Sequence, residues 1–139
     1  KGADPSYIID ETFYKKTFAQ NKALARALDT AELWLDGAVI GSVITEKDFE
    51  ELGIGSGDLD GIVDQLRVTD GVEAAVFLYE APEGKCKVSM RANGSVDVSR
   101  IAREFGGGGH VKAAGCTVSG GWREIIDQIA GRIAEQLEH

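Results

Sequence analysis

The spacing of apolar residues changes several times along the chain, and each change marks an element. From about Glu11 to Leu35 the positions Phe13, Thr17, Leu24, Ala27, Leu28, Ala31 and Leu35 fall near three- and four-residue intervals, which predicts helix with Asp10 as its cap. The polar pair Gln20-Asn21 interrupts that stripe, so two shorter helices also fit. Ala38 to Thr45 is β-branched and predicts a strand. Glu46 to Leu52 reads as a short acidic helix, and the Gly53–Gly57 stretch after it as a flexible turn without the Lys-Ser/Thr ending of a nucleotide loop. Asp58 then caps a helix to about Arg67 that buries Leu59, Ile62, Val63 and Leu66. Val72 to Tyr79 is almost continuously apolar, as in the middle of a covered sheet. Across the Pro82-Glu83-Gly84 turn the period becomes two: Cys86, Val88, Met90 and Ala92 alternate with Lys87, Ser89 and Arg91.

Beyond the Asn93-Gly94 turn, Ser95 or Asp97 caps a helix with Val98, Ile101, Ala102 and Phe105 on its apolar side. A short strand is expected at Cys116–Ser119, and a final helix from about Trp122 burying Ile125, Ile126, Ile129, Ile133 and Leu137. Helices and strands alternate, but the hairpin breaks a strict βαβ order. The fold expected is α/β, a mixed sheet of about four to five strands with helices packed on it and a linker helix in front. Residues 1–35 read as the end of another domain plus that linker, and 36–139 as the main domain. Leu137-Glu138-His139 resembles the start of a purification tag, so His139 is set aside.

Composition adds limits. A hydrophobic fraction of 43% suffices for a core, and no apolar run approaches a spanning helix. Cys86 and Cys116 lie in apolar strand contexts and read as buried free thiols of a reducing cytoplasm. The net charge of −8 argues against coating long nucleic acid. Residues 85–112 nevertheless hold Lys85, Lys87, Arg91, Arg100, Arg103 and Lys112 against only Asp97 and Glu104. A basic island in an acidic chain suits a small anionic ligand.

The chemistry concentrates in Phe105-Gly106-Gly107-Gly108-Gly109-His110-Val111-Lys112-Ala113-Ala114-Gly115. Gly106 sits where a helix end favours a left-handed residue. Gly107, Gly108 and Gly109 lack that reason, and consecutive glycine amides can surround a phosphate. His110 can donate to the same group and assist catalysis. Arg91 can add a bidentate contact, with Ser89 and Lys112 as further candidates. With only His110 and the tag-like His139, a Ser-His-Asp triad would rest on one histidine, and the carboxylates are scattered. No catalytic set and no metal site is expected in this chain.

Val88-Ser-Met-Arg91, Val96-Asp-Val-Ser-Arg-Ile-Ala102 and Phe105-Gly-Gly-Gly-Gly-His110-Val-Lys-Ala-Ala-Gly115 together resemble the C-terminal, DHH-associated substrate-binding domain of DHH phosphoesterases. The branch resembled is that of oligoribonucleases and 3′-phosphoadenosine 5′-phosphate phosphatases, which is similar to RecJ exonucleases and cyclic-dinucleotide phosphodiesterases. The similarity spans about residues 35–135. It implies that Arg91 and His110 hold substrate phosphate, with Gly107 to Gly109 around it. It also implies an N-terminal catalytic domain in the same polypeptide that binds manganese, with short single-stranded RNA or a phosphorylated nucleotide as substrate. The family often has Arg-Ser where this chain has Arg91-Ala92. Two rival readings are a tRNA-binding module, like the C-terminal domain of alanyl-tRNA synthetases, and a non-catalytic nucleotide-binding regulatory domain.

Overall fold

A computed structural model describes residues 15–138. They form α1 (Phe18–Asp29), β1 (Glu32–Trp34), β2 (Val39–Ile44), α2 (Glu46–Leu52), α3 (Ile62–Arg67), β3 (Ala74–Ala81), β4 (Lys85–Ala92), α4 (Val98–Glu104), β5 (Gly108–His110), β6 (Ala113–Ser119) and α5 (Trp122–Leu137). The six strands lie in the order β1-β2-β3-β4-β6-β5, with β2 and β3 parallel and the other neighbours antiparallel. The mixed α/β architecture is the one expected, and the two extra strands are three-residue edges.

The hairpin follows the alternation in the sequence. Cys86, Val88, Met90 and Ala92 are buried, while Lys85 and Lys87 are exposed and Ser89 and Arg91 half-buried. The buried set joins Val76, Leu78, Ala114 and Cys116 beneath α4 and α5, where Ile101, Ile126, Ile129 and Ile133 complete the larger core. Both cysteines are free and buried there, and burial raises each thiol's pKa. On the opposite side α1, α2 and α3 cover β2 and β3, enclosing Ala23, Ala27, Ile44, Ile62, Leu66 and Phe77. That second core contains residues of β2 and β3 but, among the described residues, none of β4, β6 or β5. Apolar packing therefore leaves the β4, β6 and β5 part of this face largely uncovered, with α3 touching it at β4.

Several boundaries differ from the sequence expectation. The first helix stops at Asp29, because Glu32–Trp34 pairs with Val39–Gly41 as an edge strand. The polar Gln20 lies in the first turn of α1. It closes a capping box with Thr17, its side chain accepting from the Thr17 N–H at 2.9 Å, and so marks the start. Phe13 and the Asp10 cap lie outside the described residues. Asp58 does not cap α3. Its carboxylate accepts from the Gly55 N–H at 2.9 Å inside a 3₁₀ turn over Ser56–Leu59, and α3 begins after Gly61. No helix among the described residues is long and apolar enough to cross a membrane.

Candidate functional site

The largely uncovered part of that face carries the residues singled out by the sequence, and sheet register brings them together. Arg91 on β4 stands opposite Ala113 on β6, which stands opposite His110 on β5. All three therefore share one cross-strand row on one face. At a strand spacing of about 4.8 Å, the Arg91 and His110 backbones lie roughly 10 Å apart. Between them the floor is almost bare main chain. In the neighbouring row Ser89, Gly115 and Gly108 are aligned, and beyond that Tyr79, Lys87 and Thr117. Ser89, Gly106, Gly107, Gly115 and Thr117 line an open concavity of about 480 Å³ beside the first row, toward Lys87 and Tyr79; Arg91, Ala113 and His110 do not line it.

Arg91 is held in place. Its Nε donates to Asp64 Oδ1 on α3 at 3.0 Å, and its Nη1 to the Met90 carbonyl at 3.0 Å. Of the five N–H donors of a guanidinium, three remain for a ligand. The side chain is 28% exposed, so it retains access to the floor. His110 is exposed, and among the described residues its ring has no hydrogen-bond partner. Lys112 lies in the β5–β6 turn, where its ammonium donates to the Gly94 carbonyl, away from the row.

The glycines divide by role. Gly106 has φ +85°, its N–H donates to the Arg103 carbonyl, and the Gly107 N–H donates to Ala102 at 2.8 Å. These two bonds make a Schellman motif that ends α4. The sequence left three glycines without a structural reason, and the structure supplies one for two of them. A Cβ on Gly107 would lie 2.1 Å from the Gly115 carbonyl oxygen, and one on Gly109, whose φ is +144°, 2.6 Å from that of Ala113. Of these three, Gly108 alone would carry a Cβ that meets nothing within 4 Å. The run is thus a helix stop followed by an edge strand rather than a free loop. Its remaining offer to a ligand is the outward N–H of an unpaired strand edge, since the Gly107 N–H is already bonded.

The sequence reading placed Lys87 on the polar face without a role, and it missed Asp64, Tyr79 and Thr117. Asp64 is one more acidic position on a helix, and its link to Arg91 spans 27 residues. Only sheet register reveals Thr117 and Tyr79 on either side of Lys87. Among the described residues no group of three or more His, Cys, Asp or Glu is placed to hold a metal ion.

The chain is similar to several known proteins. The family model of the DHHA1 domain matches residues 36–138. The bifunctional oligoribonuclease and PAP phosphatase NrnA of Thermus thermophilus is 41% identical over 80 residues, a match covering 58% of this chain and 24% of that protein. The chain thus spans about a quarter of that relative's length. An exopolyphosphatase-related protein from Bacteroides fragilis superposes with a TM-score of 0.87 at 24% identity, over all of this chain and 42% of the other. The C-Ala domain of Aquifex aeolicus alanyl-tRNA synthetase gives 0.55 at 16% identity, over 75% of this chain and 97% of that one. At these identities the likenesses show a shared fold.

Proposed function

The chain belongs to the DHHA1 domain family, and on that premise we propose that it is the substrate-binding part of a phosphoesterase acting on short RNA oligonucleotides, on 3′-phosphoadenosine 5′-phosphate, or on both. The observation that carries this reading is the Arg91–Ala113–His110 row, set on a largely uncovered part of the sheet face and floored by Gly108 and Gly115. A phosphate above Ala113 meets a guanidinium from one side and an imidazole from the other. The absence of side chains on the floor lets it approach main chain. The oligoribonuclease and PAP phosphatase activities of the Thermus thermophilus relative support phosphate-bearing nucleotides as the substrate class.

Binding and cutting are separate tasks in this reading. This chain's residues orient the phosphate: Asp64 and the Met90 carbonyl fix the guanidinium plane, and the half-buried Ser89 hydroxyl faces the same floor. Manganese would supply water activation from a catalytic domain of the same polypeptide. No step of that chemistry runs through the residues described here. The synthetase-like reading has the C-Ala fold likeness in its favour, but the net charge of −8 weighs against tRNA.

Titration of the 139-residue chain with a trinucleotide RNA and with 3′-phosphoadenosine 5′-phosphate tests the proposal. Arg91→Ala and His110→Ala each weaken binding about tenfold or more, as expected for ~1.5–3 kcal/mol from a hydrogen bond to a charged group. Their melting temperatures stay near that of the unaltered chain, because both side chains lie outside the two cores. With manganese added, the chain alone releases no mononucleotide. Unchanged affinity in both variants, or turnover by the chain alone, contradicts the reading.

A further inference from the structure

A second hollow adjoins the phosphate face. It lies between α2, the turn after it and the end of β3, with a volume of about 510 Å³. Phe49, Ile54, Tyr79 and Pro82 form its walls, with Glu46 and Glu80 at the rim. The Phe49 and Tyr79 rings meet edge to face, centroids 6.0 Å apart at 85°, an arrangement that holds each in place. Tyr79 and Lys87 line both this hollow and the concavity over Ser89 and Gly115, so the two form one continuous trough. Exposed Lys87 stands where they join.

We propose that this hollow is a nucleobase subsite for an amine-bearing base, adenine, cytosine or guanine. The inference rests on the phosphate-site reading above. Aromatic walls suit a flat ring, which stacks on them whatever its sequence. The carboxylates of Glu46 and Glu80 repel a phosphate, so a ligand's charged part stays on the Lys87 side. Glu80 Oε1 already accepts from the Glu46 N–H at 2.7 Å, which leaves its other oxygen and the Glu46 carboxylate as acceptors. The rim carboxylates accept from the exocyclic amines of adenine, cytosine and guanine and repel the carbonyl O4 of uracil. Reach also counts. Lys87 and Arg91 are four residues apart on β4, roughly 13–14 Å at the rise of a strand. The base in the hollow and the phosphate at Arg91 therefore belong to different nucleotides of one strand.

Three trinucleotides with equal phosphate number test this on the 139-residue chain: adenosine, uridine and abasic. The adenosine trimer binds about tenfold tighter than the abasic one, as stacking on an aromatic platform supplies. Phe49→Ala removes most of that gap and leaves abasic affinity unchanged. Glu46→Gln, an exposed change that does not disturb packing, narrows the preference for adenosine over uridine. Equal binding of adenosine and abasic trimers, with both weakened by Arg91→Ala, overturns the base subsite and leaves the phosphate site standing. Failure of every trimer to bind overturns both. A Phe49→Ala variant that weakens all trimers equally, or an unchanged adenosine preference in Glu46→Gln, also overturns it.

Discussion

Gly107 and Gly108 are adjacent and chemically identical, yet the structure gives them opposite sensitivities. A methyl group on Gly107 collides with the backbone of β6, whereas one on Gly108 enters open space above the binding floor. Gly107→Ala should cost about 1–3 kcal/mol, as overpacking does, and lower the midpoint of thermal unfolding by several degrees. Gly108→Ala should change stability by no more than about 0.5 kcal/mol while weakening phosphate binding, because its methyl shares the row of Ser89 and Gly115. Calorimetry and ligand titration on the two variants check the pair of outcomes. A run of identical residues carries no such distinction in sequence. Which glycine is squeezed depends on β6, whose approach is a tertiary contact. Arg91 was legible, because alternation in β4 placed it on the polar face, but its tether to Asp64 was not.

Elements with a strong side-chain period were readable, and elements without one were not. β4 and α5 lie where the two-residue and helical periods place them. β5 is two glycines and a histidine, and β1 has two exposed residues of three, so neither shows an apolar pattern. Each is a strand because its neighbour supplies partners. Capping was partly legible: Asp97 starts α4 as expected, its carboxylate accepting from the Ser99 hydroxyl at 2.6 Å and from the Ser99 N–H at 2.9 Å. The Ser99 hydroxyl bond is the largest cause holding the Asp97 pKa below its usual value, with the Arg100 and Ser99 amides and Arg103 adding to it against burial. A carboxylate depressed in the folded state stabilises fully above its unfolded pKa of about 3.9 and loses that contribution as pH falls through the folded value. Unfolding midpoints should therefore fall as pH drops below about 4. Asp97→Asn should flatten that fall while costing little at pH 7, since asparagine also caps.

At the scale of the whole molecule, the arrangement of helices decides where a ligand can lie. Helices α4 and α5 seal one face of the sheet, and α1 to α3 build the core of the other over β2 and β3, with α3 also touching β4. What remains is the strip of β4, β6 and β5 that bears Lys87, Ser89, Arg91, Gly115, Gly108 and His110. The basic island in the sequence suits the anionic ligand of the proposed function. The uncovered strip gives it a place, and the sheet register gives it a direction along β4. Amide chemical-shift mapping of the 139-residue chain during titration with a short single-stranded RNA tests this most directly. The account predicts shifts concentrated in Lys87–Arg91, Gly106–His110 and Ala113–Thr117, with the outer faces of α4 and α5 silent. Shifts confined to the α4–α5 side of the sheet, with those three segments unmoved, would contradict it.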